Sequence, residues 1–337
     1  MSAKIRRIGV LTSGGDAPGM NSAVRAVVRT AVGQGIECIG IRRGWSGLIS
    51  SDFVQLDGNS VSRIINKGGT MLYTARSEEF MDHAGREKAI ATCKLLGLDG
   101  IVAIGGDGTF RGALALSRQV AEYGNKLSVV GIPATIDNDI GCSHYTIGFD
   151  TACNTCIECI DKLRDTMQSH ERCSVVEVMG RHAGNLALYV GLAVGATAVL
   201  IPERPVDFER DVIENIRRAR LAGTTHYMIV VAEGAGKAFY IGEQIHEAIG
   251  IDPRVTVLGH IQRGGSPSAR DRETASRMGY VAVQALVNDK GNRIVVSKDG
   301  RILDLDMEEA LAETKEFQME RYDILEALTN NGTSRFN

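Results

Sequence analysis

Short apolar runs alternate along this chain with longer segments in which apolar residues recur at helical spacing. The runs have the length and aliphatic composition of buried parallel strands, and they are Ile8–Leu11, Ile101–Ile104, Val129–Ile132, Val175–Val178, Ala198–Ile201, Met228–Ala232 and Val255–Leu258. Most are separated by amphipathic segments that predict helices, for example Asn21–Gln34, Glu87–Leu96, Phe110–Tyr123 and Glu209–Ala222. This alternation predicts an α/β protein with mainly parallel sheet and helices on both faces.

Unusual polar loops, most of them rich in glycine, follow most of the predicted strands. They are Thr12–Asn21, Gly105–Thr109, Pro133–Asp139, Met179–Gly184, Glu233–Gly236 and Gly259–Gly265. Ligands of parallel sheets bind outside the carboxyl ends of the strands. We therefore expect these loops to converge on one cleft.

The loop Gly105–Thr109 reads Gly-Gly-Asp-Gly-Thr directly after a predicted strand. Its glycines let the backbone turn tightly and approach a ligand, and a helix beginning near Thr109 would offer free N–H groups to a phosphate. Asp107 could hold Mg²⁺ on that phosphate. The spacing is not the dinucleotide fingerprint, because Arg111 occupies the third glycine position, and it is not a Walker A loop. A tight turn without a ligand is the alternative.

The segment Thr12–Asn21 is a second glycine turn between a predicted strand and a predicted helix. Its backbone amides could hold the γ-phosphate of a nucleotide, or the phosphoryl group during transfer. The alternative is a tight turn between strand and helix with no ligand.

The segment Pro133–Asp139 ends a buried strand and carries two carboxylates. Asp137 and Asp139 lie two residues apart, so in extended backbone they point the same way. With the hydroxyl of Thr135 they could orient and deprotonate a sugar alcohol in phosphoryl transfer. The alternative is a polar turn or a helix cap.

Basic residues lie near the ends of other predicted strands, and they are Arg76, Arg172, Arg181, Arg254, His260 and Arg263. Arginine suits phosphate because its fork binds two oxygens at once. Arg254 opens the run Val255–Leu258, whereas His260 and Arg263 follow it. Opposite ends of one strand do not easily serve one pocket. Arg254 is therefore either a surface cation or a ligand for a pocket on a neighbouring subunit.

Composition narrows the classes of partner. A chain of 337 residues is long enough for two domains, and its 44% hydrophobic and 23% charged residues are typical of a soluble globular protein. The net charge of -3 argues against nucleic acid or an acidic membrane as the main partner. No apolar run approaches the ~20 residues of a membrane span, and the apolar stretch after Met1–Arg7 is too short for a signal peptide. We expect a cytoplasmic protein.

The seven cysteines are scattered, which favours reduced thiols over a disulfide framework. The cluster Cys153, Cys156 and Cys159 has Leu163 where an iron–sulfur run would place its fourth cysteine. The same residues lie at helical spacing with apolar neighbours, which favours core packing over metal binding.

Several strings occur in a fixed order, namely LTSGGDAPGMN at 11–21, GGDGT at 105–109, TIDND at 135–139, SVVEVMGR at 174–181 and LGHIQRGGSP at 258–267. Together they resemble those of the bacterial ATP-dependent 6-phosphofructokinases, and the match runs over almost the whole chain. The resemblance implies a glycolytic kinase that transfers the ATP γ-phosphoryl group to the 1-hydroxyl of D-fructose 6-phosphate, with Mg²⁺.

The resemblance also implies an architecture of two similar doubly wound α/β domains with mainly parallel sheets and the active site in the cleft between them. Residues 1–140 with about 255–305 would form the ATP-binding domain, and about 141–254 with 306–337 the fructose 6-phosphate-binding domain. The family is usually a homotetramer in which an adjacent subunit donates some substrate ligands, which would account for Arg254.

The resemblance assigns roles to the matching residues. The ATP ligands would be Gly15, Arg76, Ser77, Gly106, Asp107, Gly108 and Thr109, with Asp107 on Mg²⁺. Asp137 would be the base, flanked by Thr135 and Asp139, and Arg76 and Arg181 would stabilise the transferring group. The sugar ligands would be Met179, Gly180, Arg181 and Glu233, then His260 and Arg263 for the 6-phosphate, with Arg172 and Arg254 from the neighbouring chain.

Two positions bear on the phosphoryl donor. Pyrophosphate-dependent relatives typically carry Asp and Lys where this chain has Gly108 and Ala134, so both positions favour ATP. Pyrophosphate with the same acceptor is the nearest alternative. An NAD or lipid kinase is a further alternative, against which the TIDND and HIQRGG strings argue. A catalytically silent nucleotide sensor is another, but Asp137 and Asp107 are both intact. A Rossmann oxidoreductase is disfavoured because the dinucleotide fingerprint is absent.

The effector site of the bacterial family matches only in part. Arg25, Arg29 and Arg164 match its basic residues. Other positions have lost their charge, since Gly58 replaces an Arg, Ala222 and Thr224 replace two Lys, and Thr197 replaces a Glu. Fewer cations bind a polyanion less tightly. The sequence therefore predicts weak, altered or absent regulation by ADP and phosphoenolpyruvate.

Overall fold

The computed structural model describes residues 5–329, and the chain packs as two compact units. Within these residues, the first unit contains 5–135, Ile140–Thr151 and Arg263–Lys315. The second contains Ile136–Asp139, Ala152–Gln262 and 316–329.

The strands, in chain order, are β1 (Arg7–Ser13), β2 (Glu37–Ile41), β3 (Phe53–Leu56), β4 (Gly100–Gly105), β5 (Ser128–Pro133), β6 (Cys173–Val178), β7 (Ala198–Leu200), β8 (Tyr227–Ala232), β9 (Arg254–Val257), β10 (Arg293–Lys298) and β11 (Arg301–Asp306). The α-helices are α1 (Met20–Gly33), α2 (Gly44–Ser50), α3 (His83–Leu96), α4 (Asp107–Glu122), α5 (Phe149–His170), α6 (Asn185–Ala193), α7 (Glu214–Leu221), α8 (Ala238–Ile249), α9 (Ala269–Val287), α10 (Met307–Ala312) and α11 (Met319–Thr329). Short 3-10 turns at Glu79–Met81 and Gly259–Arg263 and a π turn at Glu209–Ile213 complete the regular structure.

The first unit is built on a seven-stranded sheet with the order β11-β10-β5-β4-β1-β2-β3. Its central strands are parallel, and only the edge strands β3 and β11 run antiparallel to their neighbours. β4 and β5 are buried along their whole length, as expected for aliphatic strands with helices on both faces. The core of this sheet includes Leu11, Ile101 and Phe110, all fully buried.

The second unit is built on a four-stranded parallel sheet with the order β7-β8-β6-β9. β6 and β8 are buried throughout, whereas β9 lies at the edge of the sheet and ends on the half-exposed Val257. The apolar core gathers around Val175, Ile229 and Ile245. Both units therefore confirm the predicted α/β class with mainly parallel sheets.

Two segments belong to a different unit from the one expected from the sequence, and in both cases strand pairing accounts for the difference. β9 pairs with β6, so residues 255–262 fall in the second unit. β11 pairs with β10, so residues 306–315, which follow directly, remain with the first unit.

The predicted strands and helices are all found, with shifts of a few residues at their ends. α4 begins at Asp107 rather than near Thr109, so Asp107 lies inside the first helical turn. The predicted helix over 209–222 is divided, because a π turn precedes α7. Within residues 5–329, no helix combines the length and apolar character needed to cross a membrane.

Candidate active site

Three of the predicted loops lie side by side in the first unit. Parallel pairing sets Ser13 of β1 beside Gly105 of β4, and Gly105 beside Pro133 of β5. The N–H of Ala134 donates to the Gly105 carbonyl over 2.9 Å. The two glycine turns and the start of the 133–139 segment therefore share one edge of the sheet, as the sequence predicted for them.

The turn before α4 has the features of a phosphate cradle. Among the described residues, no side chain caps this end of the helix. The N–H groups of Thr109 and Phe110 donate to the Gly106 carbonyl, which leaves the N–H groups at the very start of the helix, those of Asp107 and Gly108, to face an anion. Thr109 Oγ1 donates to the Ser13 carbonyl over 3.1 Å and fastens the turn to β1. A Cβ built on Gly108 would meet no described atom within 4 Å, so the space beside the turn is open.

Asp107 presents a half-exposed carboxylate at this turn and accepts a hydrogen bond from Arg111 Nε over 2.7 Å. That hydrogen bond raises the pKa of Arg111. Magnesium is usually held by one or two carboxylates together with phosphate oxygens and water. An accessible carboxylate beside a phosphate cradle fits that requirement, and a metal would compete with Arg111 for Asp107.

Arg263 lies against the glycine turn of the segment Thr12–Asn21. Its Nη1 donates to the Asp16 carbonyl over 3.0 Å, and a Cβ built on Gly15 would stand only 2.6 Å from the same nitrogen. A side chain at position 15 would therefore displace the Arg263 guanidinium from the turn. The structure thus places a residue predicted for the sugar phosphate beside the turn predicted for the γ-phosphate.

The carboxylates of the TIDND string do not share one environment. Asn138 adopts a left-handed backbone (φ 48°), Asp137 is buried and Asp139 is exposed. The expectation that Asp137 and Asp139 point the same way is wrong, because the backbone turns instead of extending. Asn185 at the start of α6 fixes the turn, since its Nδ2 donates to the Asn138 carbonyl over 3.1 Å.

The predicted sugar-binding residues of the second unit lie at the carboxyl edge of its sheet. β6, β8 and β9 are parallel neighbours there, and Met179, Glu233 and His260 follow their ends. The N–H of Arg181 donates to Glu233 Oε1 over 2.8 Å, so this pair is in direct contact. His260 is exposed within the turn Gly259–Arg263.

Arg172 and Arg254 lie at the opposite edge of the same sheet. Arg172 directly precedes β6, Arg254 opens β9, and the register pairs Ser174 with Arg254. Both arginines are exposed, and Arg254 lies 3.3 Å from the carboxylate of Asp252. Parallel strands run from these arginines to Met179 and His260, so the two groups do not meet within the second unit.

Two of the three expected effector arginines, Arg29 and Arg164, donate to backbone carbonyls. Arg29 Nη2 donates to the carbonyl of Gly58 over 3.4 Å. Arg164 donates to the carbonyl of Val194. Thr197 Oγ1 accepts from the N–H of Met228 over 3.1 Å, so its hydroxyl serves the sheet. Arg25 is half-buried on α1.

The cysteine cluster packs as predicted, with Cys153 and Cys156 buried in α5 and Cys159 half-buried. Burial raises the pKa of the Cys156 thiol, which donates to Gln262 Oε1 over 3.1 Å. The same oxygen accepts from the N–H of Met179 over 3.1 Å. Gln262 therefore links α5 to the sugar-binding loop.

Sequence reasoning missed several polar residues that shape these loops, and they are Asn21, Asn185, Gln262 and Asp271. Asn21 and Gln262 lie inside the LTSGGDAPGMN and LGHIQRGGSP strings, which was the available signal. Asp271 is fully buried and accepts from the N–H groups of Gly148 and Thr151 over 2.7 and 2.9 Å. Burial raises the pKa of Asp271.

Parallel sheets whose carboxyl edges carry a phosphate cradle, carboxylates and arginines define an α/β enzyme of the phosphoryl-transfer class. A family model described as phosphofructokinase matches residues 7–286. The chain belongs to the phosphofructokinase family.

Curated relatives agree over nearly the whole chain. An ATP-dependent 6-phosphofructokinase of Clostridium botulinum strain Hall is 50% identical over 325 residues, which are 96% of this chain and 100% of the relative. The Bacillus cytotoxicus enzyme of the same description is 52% identical over the same shares.

Solved structures agree in fold. Phosphofructokinase from Saccharomyces cerevisiae superposes with a TM-score of 0.86 at 34% identity and covers 96% of this chain, which spans 47% of the yeast chain. A pyrophosphate-dependent phosphofructokinase from Marinobacter aquaeolei has a TM-score of 0.83 over 99% of this chain and 94% of its own, at 21% identity.

Proposed function

We propose that this chain is a glycolytic kinase that transfers the γ-phosphoryl group of ATP to the 1-hydroxyl of D-fructose 6-phosphate, giving fructose 1,6-bisphosphate and ADP. The observation that carries the proposal is the 50% identity to ATP-dependent 6-phosphofructokinases over their full length. The phosphate cradle in the first unit and the Arg181–Glu233 pair in the second support it. The cytoplasm is the proposed location.

In this proposal the first unit binds ATP. The ligands are Gly15, Arg76, Ser77 and Gly106–Thr109. The N–H groups at the start of α4 bind phosphate oxygens, aided by the positive end of the helix dipole. Asp107 would hold Mg²⁺, which would supply positive charge to neutralise the phosphates during transfer.

Asp137 is the proposed base toward the sugar 1-hydroxyl, with Thr135 and Asp139 beside it in sequence. Phosphoryl transfer has a loose transition state, so the base mainly orients the hydroxyl and takes its proton late. Burial of Asp137 supports this role, because a carboxylate away from water interacts more strongly with a nearby hydroxyl. Arg76 and Arg181 stabilise negative charge on the group in flight.

Most of the proposed ligands of the sugar phosphate belong to the second unit, whereas Arg263 belongs to the first. Met179, Gly180, Arg181 and Glu233 bind the sugar, and His260 with Arg263 binds its 6-phosphate. Arg172 and Arg254 lie at the far edge of the sheet, so in this proposal they serve the active site of a neighbouring copy. The proposed assembly is a homotetramer with shared active sites.

ATP rather than pyrophosphate is the proposed donor. The open space beside Gly108 has room for the α-phosphate of a nucleotide, which a carboxylate at that position would repel. Ala134 offers no ammonium group to replace the α-phosphate. Both residues therefore favour a nucleotide.

The test is the initial rate of fructose 1,6-bisphosphate formation from fructose 6-phosphate and Mg²⁺, with ATP and pyrophosphate compared as donors. Product from ATP alone is expected.

Gly108→Asp should raise the KM for ATP about 10-fold or more by charge repulsion. Gly33→Asp is the matched control, because Gly33 also faces open space in a helix. Product from pyrophosphate would overturn the donor, and product from neither would overturn the function.

A further inference from the structure

The segment Ile64–Arg76 has no strand or helix of its own, although it carries an arginine proposed to act in phosphoryl transfer. It lies between β3 and the 3-10 turn at Glu79–Met81. A segment outside helices and sheets lacks their regular hydrogen bonds, so its buried backbone N–H and carbonyl groups need other partners. The partners of these groups therefore show what holds Arg76 in place.

Asn21 supplies three of those partners from the first turn of α1. Its Nδ2 donates to the carbonyls of Lys67 and Gly68, both over 3.1 Å. Its Oδ1 accepts from the N–H of Met71 over 2.7 Å. Asn21 is only 3% exposed, so all three hydrogen bonds are shielded from water, which makes their loss costly.

Neighbouring hydroxyls complete the attachment with single bonds. Ser22 Oγ donates to the Ile65 carbonyl over 2.8 Å, and Thr12 Oγ1 donates to the Tyr73 carbonyl over 2.7 Å. Thr74 Oγ1 donates back to the Gly14 carbonyl over 2.7 Å. These bonds join the segment to β1, to α1 and to the glycine turn between them.

The other side of the segment is closed by a tight backbone approach. A Cβ built on Gly68 would stand 2.4 Å from the carbonyl oxygen of Gly265, and Ser266 Oγ donates to the Asn66 carbonyl over 2.8 Å. Gly68 is thus held between Asn21 and the loop that contains Gly265 and Ser266. The segment therefore has little freedom to shift while Asn21 is present.

We propose that Asn21 is a positioning residue for phosphoryl transfer, which fixes the Arg76 segment against the glycine turn that contains Gly15. Asn21 follows that turn directly on α1, so one side chain couples the turn to the segment. The role rests on the proposed function, because it assigns Asn21 to the placement of Arg76. Rate depends steeply on such placement, since a misplacement of about 1 Å can cost about 100-fold.

The test combines kinetics with amide hydrogen exchange on the full-length protein. Asn21→Ala is compared with Asn292→Ala, which removes a structural asparagine of the same unit whose Oδ1 accepts from Ser117 Oγ and the Val129 N–H. Both changes are also made in the Arg76→Ala background. Thermal midpoints show whether the two single variants lose comparable stability.

Asn21→Ala should lower kcat about 10- to 100-fold, with a smaller change in KM for ATP, while Asn292→Ala stays within about 3-fold of the unmodified protein. In the Arg76→Ala background, Asn21→Ala should cost less than about 2-fold, because the group that it positions is absent. Exchange should rise across residues 65–74 in Asn21→Ala and not in Asn292→Ala.

Unchanged exchange across 65–74, or a kcat loss as large in the Arg76→Ala background, would overturn the positioning role. An unmodified protein that makes no fructose 1,6-bisphosphate would overturn the proposed function and the catalytic part of this role. The exchange result would still separate an Asn21 that holds the segment from one that does not.

Discussion

The backbone N–H of Arg181 donates to Glu233 Oε1 over 2.8 Å, and this bond joins loops that follow two parallel strands. Arg181 has a left-handed backbone (φ 59°), which costs energy for a residue with a Cβ. Glu233 therefore supports the conformation that presents the Arg181 guanidinium.

Glu233→Ala should lower kcat/KM for fructose 6-phosphate by about 100-fold, because it removes a proposed sugar ligand and releases Arg181. Glu233→Gln should lose less, since its amide oxygen can still accept from the Arg181 N–H. Steady-state kinetics with both variants checks this. An alanine variant with more than half of the original kcat/KM would contradict it.

The separation of Arg254 from His260 predicts complementation between chains. Arg254→Ala and Asp137→Ser should each be nearly inactive at low fructose 6-phosphate. Unfolded together in equal amounts and refolded, they should recover up to about a quarter of full activity, since one site in four would combine intact halves. The assay is the rate of the mixture against each variant alone. A mixture equal to the sum of its parts would contradict shared sites.

Asp211 predicts an acid-sensitive contribution to stability in the second unit. Burial disfavours its charge, but hydrogen bonds from Arg210 and the Asp207 N–H, with the charge of Arg204, lower the pKa of Asp211. A lowered folded-state pKa stabilises the protein above the unfolded value near pH 4, and the gain is lost as pH falls through the folded pKa.

Asp211→Asn should therefore reduce the free energy of unfolding at pH 7 by about 2–3 kcal/mol. The difference from the unmodified protein should shrink as pH falls below about 4. Urea unfolding across this range measures it, with the exposed Asp323→Asn as control. A difference that stays constant down to pH 3 would show that the charge of Asp211 is not the cause.

Regulation by ADP and phosphoenolpyruvate should be weak. The chain has Gly58, Ala222 and Thr224 at positions where the resemblance to the bacterial family implies cations, and Thr197 where it implies a Glu. A polyanion loses affinity with each missing cation. Rates at subsaturating fructose 6-phosphate should change less than about 2-fold when either effector is added at millimolar concentration. Strong activation or inhibition under these conditions would refute the prediction.

In the seven-stranded sheet, sequence reasoning found the central parallel strands β1, β4 and β5, because burial on both faces leaves continuous apolar runs. In the four-stranded sheet it found all the strands, including the edge strands β7 and β9. The strands it missed lie toward the sheet edges. β10 and β11 form a hairpin through Asp299 and Gly300, both with positive φ. An Asp-Gly pair between two short strands is a recognised hairpin signal, so this hairpin could have been predicted from the sequence.

The sequence predicts the candidate site residues that lie in recognisable motifs. It predicts less well how these residues are placed relative to one another, because that depends on the backbone conformation. The left-handed Asn138, which separates Asp137 from Asp139, leaves no periodic signal. The partners of Asn21 are backbone groups 46 to 50 positions away. Every residue has the same backbone groups, so the sequence does not indicate which of them Asn21 contacts, and the structure was needed to find these hydrogen bonds.

The central claim is tested most directly by turnover and sugar binding in Asp137→Ser, measured side by side with the unmodified protein. A base and orienting group contributes about 100- to 10,000-fold, so kcat with ATP should fall by that factor. The dissociation constant for fructose 6-phosphate should change less than about 3-fold, because the sugar keeps its other ligands. Near-normal turnover in Asp137→Ser would contradict the account.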